Sequence, residues 1–277
     1  MRSALDILAA VLLPSNCRVC ERRLIRLTRI PVCDECIASL ERAHVTVCSI
    51  CGEALDIGSR EAQAICPLCR RAHPEFDFAM SFGAYQGALR KLIHLLKYEQ
   101  LRPAANVLGA RIASVIAERG LAGADPMLLI PVPLHRIKRR QRGFNQSELI
   151  AHSVWKHLER PGYVVHIGNL QRVRATVSQT GLTRHQRREN VRGAFAVKKA
   201  AEVRDRRVVL IDDVYTTGTT LNECARVLRK AGARDVIVAT VARVYRENLR
   251  LKIVSSNRPG ASLQTQEEHA AIRGVAG

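Results

Sequence analysis

Long apolar runs are missing from this sequence, and so is a recognisable export signal. The first fourteen residues, MRSALDILAAVLLP, contain a short apolar run interrupted by Asp6, lack a small-x-small cleavage site and lead directly to cysteines. We interpret them as an amphipathic helix. No other stretch approaches the roughly 20 apolar residues that a membrane helix needs. The sequence therefore predicts a soluble, cytoplasmic protein with no membrane span.

Acidic and aromatic residues are also scarce. Asp and Glu number 25 against 44 Lys and Arg, so the formal net charge is +19, which suits phosphate-bearing ligands and polyanions. Only 4% of the residues are aromatic, whereas grooves for single-stranded nucleic acid usually interleave aromatic with basic residues. Apolar residues are plentiful: they make up 47% of the 277 residues, enough to form the hydrophobic cores of one ordinary domain and a smaller module.

Eight of the nine cysteines form four C-x-x-C pairs. Twelve residues separate the first two pairs and fourteen separate the last two, a spacing that matches two successive zinc ribbons. Disulfides would require export, and redox C-x-x-C motifs would require a strand-to-helix context. We predict two structural zinc sites in which adjacent pairs share an ion, while interleaved pairing also fits the spacing. The predicted zinc ligands are Cys17, Cys20, Cys33, Cys36, Cys48, Cys51, Cys66 and Cys69.

Strand-like and helix-like segments alternate after about Pro74, which predicts an α/β domain with a mainly parallel sheet flanked by helices. The predicted domains are 1–74, an N-terminal helix and double zinc ribbon, and 75–247; the aperiodic segment 248–277 is predicted to be a disordered tail. The ninth cysteine, Cys224, is expected to be a small buried residue on a helix. Strands are expected at 76–86, 127–133, 163–170, 206–212 and 235–242, and helices at 87–98, 102–119, 144–158 and 219–231.

The stretch VVLIDDVYTTGTT, residues 208–220, follows a buried strand with two acids and a hydroxyl-rich loop. In parallel sheets, ligands bind beyond the carboxyl ends of the strands. The loop amides can form an anion nest at the start of the next helix, and Gly218 permits a positive φ. Because carboxylates repel phosphate, the ligand must also bring hydrogen-bond donors. A ribose 5-phosphate does so, since its 2′ and 3′ hydroxyls can donate to Asp212 and Asp213.

These thirteen residues resemble the phosphoribosyl pyrophosphate (PRPP) motif of type I phosphoribosyltransferases. Together with the C-x-x-C pairs, YQGALRKLIHLLKY, PVPLHRIKRRQRGFNQ and SQTGLTRHQRRENVRGAF, they make residues 5–245 similar to the ComF family, competence-associated proteins that join a double zinc ribbon to such a domain. The resemblance implies a type I phosphoribosyltransferase fold, ribose binding by Asp212 and Asp213, and Mg²⁺-assisted displacement of pyrophosphate from ribose C1. The 5′-phosphate would be bound by Thr216, Thr217, Gly218, Thr219 and Thr220.

Two basic segments complete the implied site. By analogy with type I transferases, Leu134, His135 and Arg136 lie nearest the pyrophosphate, and segment 174–195 resembles the mobile hood that excludes water. We assign Arg184 to catalysis together with the two aspartates. Other candidates are Gln179, Arg187, Asn190 and Arg192 in the hood, and Arg142, Gly143, Phe144, Asn145 and Gln146 before it. Lys138, Arg139 and Arg140 also fit a solvated helix start, and Arg187 and Arg188 a charged surface helix.

Three functions are compatible with these residues. The first is an enzyme that transfers phosphoribose to an acceptor, although Thr216 stands where 6-oxopurine salvage enzymes have an aspartate, which argues against purine salvage. The second is a non-catalytic competence factor that binds single-stranded DNA through the ribbons and basic loops, with Phe144 and Tyr215 as the aromatics near the site. The third is a ribbon that docks competence-machinery proteins. We expect the protein to bind PRPP and to act in DNA uptake or nucleotide metabolism.

Overall fold

The computed structural model describes residues 15–25, 28–42, 45–55, 64–121, 123, 125–158, 161–176 and 183–245. Arg184 and His185 are described as backbone positions within a helix, without their side chains. The predicted amphipathic helix at the N-terminus, Gln179 and the predicted tail lie outside these residues.

Five strands form the central sheet. They are β1 (Phe78–Ala84), β2 (Met127–Pro131), β3 (Tyr163–Val165), β6 (Arg207–Tyr215) and β7 (Asp235–Arg243). Their spatial order is β1-β7-β6-β2-β3, and each neighbouring pair is parallel. The predicted mainly parallel sheet is therefore confirmed. Its middle strands are buried on both faces, which explains why their sequences are almost continuously apolar.

Helices cover both faces of this sheet. Val209 and Ile211 of β6 pack into one core and Val208 and Leu210 into the other, because successive side chains of a strand point to opposite faces. The first face is covered by α4 (Ala104–Glu118) and α6 (Gln146–Leu158) and the second by α8 (Thr219–Lys230), on which Cys224 is completely buried, as predicted for that residue. The helices are α1 (Asp34–Ala38), α2 (Pro67–Arg71), α3 (Gly87–Tyr98), α4 (Ala104–Glu118), α5 (Arg136–Arg142), α6 (Gln146–Leu158), α7 (Arg184–Val191) and α8 (Thr219–Lys230).

The single strand expected at 163–170 is wrong, because the structure divides it between two sheets. After β3 the chain turns at Gly168, whose φ is +85°, and then forms β4 (Leu170–Arg172). β4 pairs antiparallel with β5 (Phe195–Val197) in a separate two-stranded sheet. Asn169 stabilises the turn, since its side chain donates to the carbonyl of Lys199 and accepts from the amide of the same residue.

β6 also differs from its expected end at residue 212. It runs to Tyr215, and its pairing with β7 continues to the partners Tyr215 and Arg243. Both aspartates therefore lie within a hydrogen-bonded strand. This fixes the backbone beneath their side chains before the loop begins.

Candidate functional site

The eight paired cysteines form two four-thiol clusters. Residues 17, 20, 33 and 36 make the first cluster and residues 48, 51, 66 and 69 the second, with the sulfurs of each set within 4.8 Å of one another. The adjacent pairing is thus the one found. A tetrahedral zinc with bonds of about 2.3 Å would separate its sulfurs by about 3.8 Å. The Sγ atoms of Cys17 and Cys36 are 3.8 Å apart, and those of Cys51 and Cys66 are 3.7 Å apart.

The local backbone explains how each knuckle closes. In the first knuckle of each cluster, Cys17–Cys20 and Cys48–Cys51, the residue after the second cysteine is left-handed: Glu21 has a φ of +64° and Gly52 a φ of +72°. The second cysteine of each other knuckle lies in a short helix, α1 or α2. Backbone amides point at the sulfurs, as in the 3.3 Å contacts from Cys33 to the Sγ of Cys17 and from Cys66 to the Sγ of Cys48. Such amide donors stabilise thiolates, the form in which cysteine binds metal.

The two clusters pack on different parts of the α/β domain. The first cluster shares a core with α3 and α4, where Lys91 Nζ donates to the Val19 carbonyl at 2.6 Å. The second cluster shares the other core with β6 and α8, and the Ala79 amide of β1 donates to the Ile50 carbonyl at 2.7 Å. A Cβ on Gly52 would lie 3.0 Å from the carbonyl oxygen of Ala79, so the Cys48–Cys51 knuckle of the second cluster approaches the sheet backbone closely.

The phosphate loop, which we define as residues 216–220, joins the end of β6 to α8. Gly218 has a φ of +74° and precedes the first residue of α8. The hydroxyls of Thr217 and Thr219 are 2.8 Å apart. The first amides of a helix have no intrahelical acceptor and form the positive end of the helix dipole, so this loop is chemically suited to an anion.

Asp212 is half-buried at the edge of a cavity beside this loop. Its Oδ1 accepts hydrogen bonds from the Ser147 hydroxyl and from the Asp213 amide, both at 2.9 Å. Burial, and then the negative charge of Asp213, raise the pKa of Asp212 to about 7 against the opposing effects of Lys97 and Ser147. Other ionisable groups that interact with Asp212 are Arg172 and Cys224.

Asp213 is the more deeply buried of the two acids, with 4% of the residue exposed. Lys97 of α3 reaches it from the neighbouring helix, and Nζ lies 2.8 Å from Oδ1. Burial lowers the pKa of Lys97, but the attraction of Asp213 and Asp212 outweighs it, so the pKa is raised. One lysine therefore compensates part of the negative charge of the paired acids, which reduces their repulsion of an anionic ligand.

The cavity that brings these groups together has a volume of about 190 Å³. Among the described residues, two buried polar atoms at this cavity have no hydrogen-bond partner: Oδ2 of Asp213 and Nε of Arg172. Buried polar atoms are rarely left in this state unless a ligand or water completes them. The lining residues are Val132, Pro133, Leu134, Gln146, Arg172, Asp212, Asp213, Val214, Thr216, Gly218, Thr219, Thr220 and Leu221.

Leu134 is the residue of the implied pyrophosphate loop that lines this cavity. His135 instead caps α5, where its Nδ1 accepts from the Ile137 amide at 3.4 Å, and Arg136 is exposed on the same helix. The cations at 138, 139 and 140 are likewise exposed, which fits the alternative of a solvated basic helix. Burial, followed by Arg172 and Arg142, lowers the pKa of Lys138, which places this lysine beside two arginines.

Within the segment from Arg142 to Gln146, the last three residues are buried and position the start of α6, whereas Gly143 is exposed. Gly143 ends α5 with a φ of +78°. Asn145 is 1% exposed, donates to the Val132 carbonyl at 3.0 Å and accepts from the Ser147 amide at 3.1 Å. This bond pair ties the end of β2 to the start of α6 and thereby holds Ser147 beneath Asp212.

The described part of the hood consists of residues 174–176 and 183–195, and helix α7 lies within the second of these ranges. Thr183 caps it in a reciprocal capping box with Gln186, as its sequence allows. Arg188 and Arg192 line a second cavity of about 470 Å³ between the second cluster and α8, on which Thr217 also borders. The side chain of Arg184, which was assigned to catalysis, lies outside the described part, so that assignment stays a prediction.

Lys97, Ser147 and Arg172 are the site residues that the sequence did not indicate. They come from α3, α6 and β4, far from the acids in sequence, and none belongs to a motif with an assigned function. The two aromatics proposed for base stacking are buried, with Phe144 7% and Tyr215 5% exposed. Within the described ranges, no helix combines the length and the apolar character needed to cross a bilayer.

Comparison with known proteins gives matches in sequence and in fold. A family model described as "Phosphoribosyl transferase domain" matches residues 149–262. Competence protein F of Haemophilus influenzae is 33% identical over 202 residues, which cover 71% of this chain and 84% of that protein. DNA utilization protein YhgH of Escherichia coli strain K12 is 30% identical over 230 residues, covering 76% of this chain and 96% of that protein. Glutamine phosphoribosylpyrophosphate amidotransferase from B. subtilis aligns at 22% identity and a TM-score of 0.33, over 50% of this chain and 26% of that chain, and carries no weight here.

The similarity to these two relatives is not confined to one motif, because each alignment spans most of this chain and most of the relative. The parallel sheet, the acid pair and the threonine-glycine loop have the arrangement of a type I phosphoribosyltransferase domain. Two four-cysteine clusters precede that domain. On these grounds the chain belongs to the ComF family.

Proposed function

We propose that this protein binds PRPP, or a similar phosphorylated ribose, at the carboxyl end of β6, and that it serves DNA uptake or utilisation as a phosphoribosyltransferase-like protein. One observation supports this above all others. The acid pair of β6 and the phosphate loop border the same cavity of about 190 Å³. The acids can therefore accept hydrogen bonds from the hydroxyls of a sugar while the loop binds the phosphate of the same molecule. The names of the relatives supply the biological context.

The chain's own residues would have distinct tasks in this reaction. The amides at the start of α8 hold the 5′-phosphate, and Asp212 and Asp213 accept hydrogen bonds from the ribose hydroxyls. As pyrophosphate leaves C1, positive charge grows on the sugar ring and negative charge on the leaving group. The carboxylates would stabilise the positive charge on the ring, and Arg172, which also lines the cavity, would stabilise the negative charge on the leaving group. The displaced electron pair leaves with the pyrophosphate oxygen, and the acceptor supplies the new bond.

Magnesium fits this cavity better than zinc does. Its described lining offers oxygen atoms from carboxylates, hydroxyls and an amide, with neither thiolate nor imidazole, and oxygen donors are the ones that Mg²⁺ prefers. Asp212 and Asp213 would hold the ion in this cavity, and the ion would neutralise negative charge on the pyrophosphate.

Zinc fits the two clusters. All eight donors are thiols, the measured sulfur separations match a tetrahedron, and four protein donors leave no open coordination position. We assign these ions to stabilising the ribbons rather than to chemistry.

Calorimetric titration with PRPP and Mg²⁺ tests the sugar site. Asp212→Asn is the sharper variant, because Asp213→Asn also removes the partner of buried Lys97 and would disturb the fold. We expect the parent to release binding heat and Asp212→Asn to lose at least tenfold in affinity. Asp235→Asn, at the opposite end of the sheet, is the matched control. Equal heats from the parent and Asp212→Asn would reject the assignment.

A second candidate is binding of single-stranded DNA. The charge of +19 and the exposed cations of α5 favour contacts to a phosphate backbone, whereas burial of Phe144 and Tyr215 disfavours stacking on them. Backbone binding releases counterions, so affinity should fall steeply with salt. A gel-shift series tests this: replacing Arg139 and Arg140 with Gln should reduce the log-log salt slope by about 0.7 per lost contact. A slope near zero for the parent would contradict this mode.

A further inference from the structure

A chain of buried side chains connects the second four-cysteine cluster to the phosphate loop. It begins at Arg243, the last residue of β7, which is 3% exposed. Its guanidinium donates to the Cys51 carbonyl at 2.6 Å and to Oε2 of Glu53 at 2.9 Å, and it lies 3.7 Å from the Cys51 sulfur. A buried cation is costly unless it is paired, so these contacts fix the guanidinium against the Cys48–Cys51 knuckle.

The same guanidinium packs on Tyr215. Its central carbon is 3.9 Å from the centroid of the tyrosine ring, a cation-π distance well inside the usual limit of about 6 Å. Phe76 packs against the ring edge-on, with centroids 6.3 Å apart and an interplanar angle of 87°. The ring is therefore held on two sides, and a shift of Arg243 would move it.

Tyr215 in turn supports the phosphate loop. A Cβ placed on Gly218 would lie 2.2 Å from the tyrosine oxygen and 2.5 Å from its ring carbon, so the phenol fills the space directly below this glycine. The glycine has the positive φ that starts α8. The position of the phenol therefore limits where the loop amides can lie.

We propose that Arg243 is a positioning residue that couples the second four-cysteine cluster to the phosphate loop through the ring of Tyr215. The inference rests on the proposed function, since the loop must bind a phosphate for the coupling to be measured. It predicts that an intact second cluster raises affinity for the sugar phosphate. The first cluster packs against α3 and α4 on the other core, which makes it an internal control for loss of a zinc site.

The test uses the full chain and two probes that occupy different parts of the cavity. Ribose 5-phosphate reports on the loop, and magnesium pyrophosphate reports on the rest of the site. Arg243→Lys keeps a cation but cannot donate to Cys51 and Glu53 as a fork. We expect its Kd for ribose 5-phosphate to rise about tenfold while its Kd for magnesium pyrophosphate stays unchanged. Arg207→Lys, at the opposite end of β6, should change neither value.

A second pair of variants keeps the test decisive if Arg243→Lys does not fold. Cys51→Ser removes a thiol from the second cluster and Cys20→Ser removes one from the first, with zinc content measured by a colorimetric chelator. We expect the Cys51 variant alone to lose affinity for ribose 5-phosphate.

Three results would overturn parts of this account, and they can be told apart. If the parent binds neither ribose 5-phosphate nor PRPP, the proposed function fails. If the parent binds but Arg243→Lys keeps its affinity for ribose 5-phosphate, the coupling fails while the site stands. If Arg243→Lys weakens both probes equally, Arg243 supports the fold in general and does not act on the loop.

Discussion

The ion pair between Lys97 and Asp213 gives the sharpest energetic prediction. Their side chains are only 16% and 5% exposed and lie 2.8 Å apart. At an effective dielectric constant of about 20, Coulomb's law gives a gross attraction of about 6 kcal/mol, from which desolvation must be subtracted. Lys97→Met would leave a buried, unpaired carboxylate, a change that costs about 3–5 kcal/mol.

Urea unfolding at fixed zinc concentration measures this loss. We expect Lys97→Met to lower the free energy of unfolding by about 3–5 kcal/mol, and the double variant Lys97→Met/Asp213→Asn to recover most of it, because no charge is then buried alone. Lys199→Met is the matched control: its pair with Glu202 is 2.9 Å long but 64% and 37% exposed, and such pairs contribute about 0–1 kcal/mol. A loss under about 1 kcal/mol for Lys97→Met, or a double variant no more stable than the single, would refute the reasoning.

The remaining predictions concern the loop, the acid pair and the clusters. Gly218→Ala should weaken ribose 5-phosphate binding tenfold or more, since its Cβ would lie 2.2 Å from the Tyr215 oxygen, while Gly120→Ala, also at positive φ but with nothing within 4 Å, should not. The raised pKa of Asp212, from 3.8 to about 7, means that the folded state holds a proton that the unfolded state has released. The free energy of unfolding should therefore fall as the pH rises from about 4 to about 7, and Asp212→Asn should remove this slope in urea titrations. Cys20→Ser should bind one zinc per chain instead of two, counted by chelator absorbance; two would contradict the assigned ligands.

Local pattern was enough to predict the clusters and most of the sheet. A C-x-x-C knuckle is built from adjacent residues, so its spacing determines which sulfurs can meet, and the structure confirms adjacent pairing. Continuous apolar runs identified the buried strands, because both of their faces are covered. The acids and the loop were recognisable because one short segment contains both of them.

The missed features all depend on distant segments. Nothing near Lys97 shows that it will meet Asp213, which lies more than a hundred residues further along the chain. The end of β3 was misjudged because the turn at Gly168 depends on Asn169 bonding to Lys199. The proposed domain boundaries stay predictions, and the family match continues to residue 262, beyond the boundary at 247.

The contact between Arg243 and Cys51 joins residues 192 positions apart, which has a consequence for biosynthesis. The ribosome completes the Cys48–Cys51 knuckle long before it reaches β7. At about 5–20 residues per second, the knuckle waits about 10–40 s for its arginine. During that interval the nascent ribbon exposes the surface that β7 later covers. Packing of the second cluster against β7 is therefore among the last steps of folding. A message truncated before codon 243 would yield a second cluster that lacks its contact with Arg243.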